Sequence, residues 1–131
     1  DLAAVVRPAD KQQLAAAVAA ATSAGHAVAA RGGGMSYTGG YTQDAPGTVL
    51  FDLSRMNRII AIDEADMTVT TEVGCTWAAL HAELAPRGLR TPMWGTLSGL
   101  KATVGGGMSQ NGIFWGTGRY GTAVQSCTAL E

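Results

Sequence analysis

The sequence is poor in the residues from which disulfide, metal and nucleic-acid sites are built. It has two cysteines, Cys75 and Cys127, far apart and not in a CxxC pair. That spacing gives no disulfide framework, and both read as free buried thiols, with a single bridge between them left open. The two histidines, His26 and His81, have no Cys, His or carboxylate neighbour at ligand spacing, so no metal site is expected. There is no basic excess either: nine Lys and Arg stand against ten Asp and Glu, a net charge of −1, which argues against nucleic acid as a partner. The apolar run at residues 15–21 is almost all alanine and too short to cross a bilayer, so no membrane partner is expected. The P-loop pattern GxxxxGK[ST] is missing. No signal peptide is visible, and the cytoplasm is the expected compartment. The chain starts at Asp1 rather than Met and stops at Glu131 inside an apolar run. Both ends therefore read as cut, and an enzyme built on this chain is expected to be incomplete here.

What is present is enough for a core. Hydrophobic residues make up 47% and charged residues 15% of the 131 positions, a composition of one ordered domain or part of one. The eighteen glycines are clustered, mostly in residues 32–40, 95–107 and 112–121, as if several backbone loops converge on one ligand.

Residues 31–40, Arg-Gly-Gly-Gly-Met-Ser-Tyr-Thr-Gly-Gly, follow the short apolar run 27–30, which reads as a buried strand ending at Arg31. Three glycines in a row let the backbone enter positive φ and let a ligand approach its amides. Successive N–H groups in such a turn converge on an anion. Ser36 and Thr38 add hydroxyls, and the stretch reads as a phosphate or pyrophosphate cradle. A flexible glycine-rich surface loop is the alternative at this point.

Around that loop, Val5-Val6 reads as a strand. Asp10 caps a helix with apolar positions Leu14, Ala17, Val18 and Ala21, and Gly25 ends it. This strand–helix–strand unit favours parallel pairing. Residues 48–53, 59–63 and 67–73 read as strands, the last two joined by the charged turn Glu64-Ala65-Asp66. Gly74 breaks the pattern and marks a boundary. Thr76 caps a helix carrying Trp77, Leu80 and Leu84, which Pro86 and Gly88 terminate. His81 reads as a half-buried, hydrogen-bonded residue, and Met35, Met93 and Met108 read as loop packing. The stretch 89–100, with Pro92, Trp94, Gly95 and Gly99, has little periodicity. A second glycine-rich turn follows at residues 102–113, and a strand is expected over 123–130. Residues 116–121 spell GxGxxG, but the three residues before it are too short a strand and those after it read as extended. The chain also ends before the acidic residue such a site needs, so a Rossmann-type NAD site is disfavoured.

The order of these segments resembles a known family. Arg31-Gly32-Gly33-Gly34-Met35-Ser36 is followed by Phe51-Asp52-Leu53-Ser54-Arg55-Met56-Asn57-Arg58-Ile59 and Thr71-Glu72-Val73-Gly74-Cys75-Thr76-Trp77. Thr103-Val104-Gly105-Gly106 and Arg119-Tyr120-Gly121 complete the series. The set is similar to the FAD-binding domain of vanillyl-alcohol oxidase/p-cresol methylhydroxylase (PCMH-type) flavoproteins, over nearly the whole chain. The resemblance implies an α+β fold of two small α/β subdomains, residues 1–73 and 74–131. It implies FAD as cofactor, with Gly32, Gly33, Gly34, Met35, Ser36 and Gly40 at its pyrophosphate. Thr103, Gly105, Gly106, Ser109 and Ile113 match a second motif that is especially similar to cytokinin dehydrogenases. Ser98 joins the cofactor-facing set. It stands where cytokinin dehydrogenases carry an Asp that acts on substrate, which argues against cytokinin oxidation. Met35 stands where many members carry a histidine bonded covalently to flavin, so non-covalent FAD is expected here. The implied activity is oxidation of a small alcohol, hydroxy acid or amine by hydride transfer to flavin, with oxygen or another electron acceptor. No motif carries a catalytic residue. A non-catalytic anion-binding module and a Rossmann-type NAD binder remain the rival readings.

Overall fold

The computed structural model describes residues 1–42, 45–93 and 98–131, and all structural statements concern these. The expected irregular stretch therefore keeps its Pro92 and Gly99, while Trp94 and Gly95 lie outside the described residues.

Strand β1 (Leu2–Val6), helix α1 (Lys11–Ser23), strand β2 (Val28–Arg31) and strand β3 (Thr48–Asp52) form the first layer pair. Asp10 caps α1 as its position predicts, its Oδ1 accepting the Gln13 N–H at 2.8 Å. Gly25, at φ 79°, turns the chain out of the helix. The helical spacing of Leu14, Ala17, Val18 and Ala21 puts them on one face, against Val6, Val49 and Phe51 of the sheet. Pairing is parallel as expected, but β1 and β2 are not neighbours: the order is β1-β3-β2, with β3 between them. All five residues of β3 are buried, as a central parallel strand requires. The parallel arrangement brings the C-terminal ends of three strands, at Arg7, Arg31 and Asp52, to one edge of the sheet.

Strands β4 (Ile59–Asp63) and β5 (Thr68–Thr71) form an antiparallel hairpin. Its turn is held by Asp63 Oδ1, which accepts the N–H groups of Ala65 and Asp66 at 3.0 Å each. Helix α2 (Trp77–Leu84) is capped by Thr76, whose Oγ1 accepts the Ala79 N–H at 3.2 Å. Leu80, Leu84 and Cys75 pack with Ile59, Ile62 and Val69, so the hairpin shares a core with residues beyond Gly74. A further cluster joins Trp77, Met93, Phe114 and Ala123, with Trp77 and Phe114 edge to face at 5.6 Å. Met93 and Met108 belong to this packing, whereas Met35 is exposed. Cys75 is a buried free thiol; Cys127 is also free but only half-buried. His81 lies exposed on α2 rather than half-buried, because the buried face of that helix passes through Trp77, Leu80 and Leu84.

Two expectations fail in the last third. Residues 102–113 are not only a turn: Val104–Ser109 form a short helix, α3, capped by Thr103, whose Oγ1 accepts the Gly106 N–H at 3.1 Å. The expected strand at 123–130 is absent. Ala123–Ser126 wind into a single 3-10 turn, because the Gln125 side chain accepts the Thr122 N–H at 2.7 Å and Asn111 Oδ1 accepts that of Val124 at 3.2 Å. The second of these bonds, with those of the Gln125 and Cys127 N–H groups to the Thr122 and Val124 carbonyls, takes backbone donors that a strand would need. Within the GxGxxG segment lies only the four-residue helix α4 (Thr117–Tyr120).

The two ends of the hairpin are joined by Glu72, nearly buried, and Arg58. Glu72 Oε2 accepts the Arg58 N–H at 2.8 Å, and Oε1 accepts Nη2 at 2.7 Å and Nε at 3.1 Å. These hydrogen bonds hold the Glu72 carboxyl below the usual glutamate range. A lowered folded-state pKa means the pair's contribution is complete above the unfolded value of about 4.3 and is lost as pH falls through the depressed folded value. Thermal melts from pH 6 down to pH 3 should therefore show a steeper loss for the parent than for Glu72→Gln, which has nothing to titrate there. Parallel curves would refute the assignment.

Candidate functional site

Strand β2 ends at Arg31 and delivers the chain into the first glycine loop. Gly34 sits at φ 68°, in the left-handed region. Among the described residues, the backbone N–H groups from residue 33 to residue 38 have no acceptor in the protein. The hydroxyls of Ser36 and Thr38 lie 3.0 Å apart. Gly40 faces both, since a Cβ there would sit 3.9 Å from Thr38 Oγ1 and 4.0 Å from Ser36 Oγ. Met35 and Tyr37 are exposed.

The second glycine motif is different. Its backbone donors are already used inside the fold: Val104 N–H donates to the Cys75 carbonyl at 2.8 Å, Gly105 to Val73 at 3.0 Å and Gly107 to Thr103 at 3.0 Å. Thr103 is buried, and Ser109 Oγ donates to the Gly106 carbonyl at 3.0 Å. Ile113 is exposed, and the Ser98 carbonyl accepts the N–H groups of Lys101 and Ala102 at 2.8 Å each.

The fold brings the two loops into direct contact. A Cβ on Gly32 would come within 2.3 Å of Thr103 Oγ1, and one on Gly33 within 1.8 Å of the Lys101 carbonyl oxygen. Beside this junction is a cavity of about 320 Å³. Gly32, Gly33, Ser54, Asn57, Thr76 and Lys101 are among the residues that line it. Sequence alone does not single out Ser54, Asn57 or Lys101 as site residues. Ser54 and Asn57 stand inside one of the quoted motifs, but nothing in their type announces a ligand.

Under the loop, Asp52 is buried. Its Oδ1 accepts the Ser54 N–H at 3.1 Å, its Oδ2 accepts Arg7 Nε at 3.1 Å, and Arg31 Nη2 lies 3.7 Å from Oδ2. Burial pushes this carboxyl upward, but the Ser54 hydrogen bonds and the charges of Arg31 and Arg7 outweigh it and hold it below the usual range.

Unclaimed amides on a glycine turn, with arginine behind them and a cavity alongside, are the donors and space that a dinucleotide phosphate would need. The residues present thus fit a diphosphate-containing cofactor. Among the described residues, no three His, Cys, Asp or Glu side chains gather as a metal site, and no helix is long and apolar enough to cross a membrane.

The chain belongs to the FAD binding domain family, whose model matches residues 2–131. It is 29% identical over 126 residues to an uncharacterized FAD-linked oxidoreductase of Mycobacterium tuberculosis, covering 95% of this chain and 27% of that protein. It is 35% identical over 86 residues to an L-gulono-1,4-lactone dehydrogenase of the same species, covering 66% of this chain and 19% of that protein. It thus spans about a quarter or less of the length of these curated relatives. Among solved structures it resembles 6-hydroxy-D-nicotine oxidase from Arthrobacter nicotinovorans, with a TM-score of 0.77 and 27% identity, covering 92% of this chain and 25% of that one. It also resembles berberine bridge enzyme in complex with (S)-reticuline, with a TM-score of 0.74 and 26% identity, covering 92% of this chain and 24% of that one. The α+β, PCMH-type FAD-binding fold expected from the motif order is the fold observed.

Proposed function

We propose that this chain is the cofactor-holding part of a flavin-dependent oxidoreductase that oxidises a small alcohol, hydroxy acid or amine. The observation that carries the site is the run of unclaimed N–H groups at residues 33–38 on a turn kept open by Gly34. In this reading Gly32, Gly33, Gly34, Ser36 and Gly40 form the pyrophosphate cradle, and Met35 and Ile113 offer apolar contact to the cofactor. Thr103, Gly105, Gly106 and Ser109, whose polar groups are largely engaged within the fold, act by fixing the cradle from behind. Ser98 holds the turn that presents Lys101. The two subdomains, 1–73 and 74–131, are part of the same reading, with the β4–β5 hairpin packed on the second. When bound, FAD supplies the acceptor for a hydride taken from substrate, while the chain binds and orients it. The name of the gulonolactone dehydrogenase relative adds sugar lactones to the candidate substrates.

The full-length protein should be yellow, with the absorption bands of oxidised flavin. A colourless, folded protein that ignores added FAD would favour the non-catalytic anion-binding module instead. Because Met35 has a thioether and no imidazole, the flavin is held without a covalent bond at this position. Acid precipitation should release all of it to the supernatant. Flavin fluorescence left on the precipitated polypeptide would contradict this.

A further inference from the structure

The first glycine turn has neutral donors only, yet a fixed cation lies directly behind it. The guanidinium of Arg31 packs against Gly34: a Cβ built there would lie 3.6 Å from Nε and 3.9 Å from Cζ. Arg31 Nε is buried and, among the described residues, has no hydrogen-bond partner. Its ion pair with Asp52, at 3.7 Å, is longer than a hydrogen bond. Other arginines of the fold are better satisfied: Arg58 is bonded to Glu72, Arg87 to Glu64 and Glu83, and Arg7 to Asp52. Asp52 is a single carboxylate shared by two guanidinium groups, so the cluster keeps a net positive charge at the C-terminal edge of the sheet. That edge is where open parallel sheets present their ligands.

We propose that Arg31, steered by the buried Asp52, supplies the positive charge that binds the diphosphate of the dinucleotide at the first glycine turn. This rests on the FAD reading above and adds to it the charged side chain that precedes the three glycines. The glycine amides give the site its shape, and Arg31 gives it its charge. Asp52 is a positioning residue: besides facing Arg31 it accepts the Ser54 N–H, and Ser54 lines the cavity.

The test uses the apo form of the full-length protein, titrated with FAD and with riboflavin, which has no phosphate. Arg31→Gln should weaken FAD by about tenfold or more, the loss of one close charge interaction, and leave riboflavin within about threefold of the parent. Arg31→Lys should recover most of the FAD affinity. The deficit of Arg31→Gln should shrink as salt is raised, because a charge effect is screened. If Arg31→Gln does not fold, Arg31→Met keeps the apolar stem without the charge and serves in its place. Equal FAD affinity in parent and Arg31→Gln, or equal weakening of FAD and riboflavin, would overturn the assignment. Where riboflavin binds too weakly to measure, an FAD deficit that does not change with salt overturns it as well. A parent protein that binds no FAD would instead overturn the FAD reading itself.

Discussion

Gly33→Ala is expected to lower the stability of the domain by about 3 kcal/mol, the upper end for overpacking a close contact. Thermal melting should register this as a fall on the order of 10 °C. The methyl group would sit 1.8 Å from the Lys101 carbonyl oxygen and 2.7 Å from its carbon. Both are backbone atoms, so no rotamer change relieves the clash. Either the first loop or the 98–102 turn must move, and the Ser98 carbonyl already binds that turn through two N–H groups. Gly118→Ala is the matched control. A Cβ there meets nothing within 4 Å, and the helical backbone accommodates it, so its melting temperature should be unchanged or slightly higher. An unshifted melting temperature for Gly33→Ala would mean that the two glycine loops are not in contact in solution.

That contrast shows what the sequence could and could not disclose. Glycine clustering announced loops at residues 32–40 and 102–113, because only missing side chains permit such close approaches. It did not say whether the visitor is a ligand or another loop. For Gly33 the visitor is the backbone of Lys101. For Gly105 it is Val73, whose Cβ and carbonyl oxygen lie 2.6 and 2.7 Å from where a Cβ on that glycine would stand. Helix α1 was legible because its cap and its apolar spacing are local. The place of β3 between β1 and β2 was not, since strand order depends on contacts between residues far apart in the chain. Helix α3 was hidden by its three glycines, which have poor helix propensity. Its first turn is held instead by the Cys75 and Val73 carbonyls and by the Thr103 cap. The 123–130 segment misled because its apolar spacing suits a strand, while Asn111 takes the Val124 N–H and the N–H groups of Gln125 and Cys127 bond back to the carbonyls of Thr122 and Val124. In the site, the glycine turn could be read from composition. Asn57, Lys101 and the Arg31–Asp52 pair could not, because folding alone brings them to the turn.

Gly34→Val should fold, at some cost in stability, and bind FAD at least tenfold to a hundredfold more weakly than the parent. The position differs from Gly33 in kind. A Cβ on Gly34 would make only ordinary contacts with the Arg31 side chain, so space is not the obstacle. Conformation is the obstacle: φ is 68°, and a β-branched residue is a marked outlier there. Valine should therefore pull the turn toward negative φ and swing the amides of residues 33–38 out of convergence. Losing one charge-assisted hydrogen bond costs roughly 1.5–3 kcal/mol, which is about tenfold to a hundredfold in affinity, and more than one such bond is at stake. Gly34→Asn separates conformation from bulk, because asparagine tolerates the left-handed region. It should keep FAD affinity within about fivefold of the parent, by the smaller strain of that residue. The measurement is FAD titration of the full-length apo protein, with circular dichroism to confirm folding. If Gly34→Val folds and binds FAD as tightly as the parent, the pyrophosphate does not sit on residues 31–40. If valine and asparagine weaken binding equally, the turn excludes any side chain, and its left-handed conformation is not what the cofactor requires.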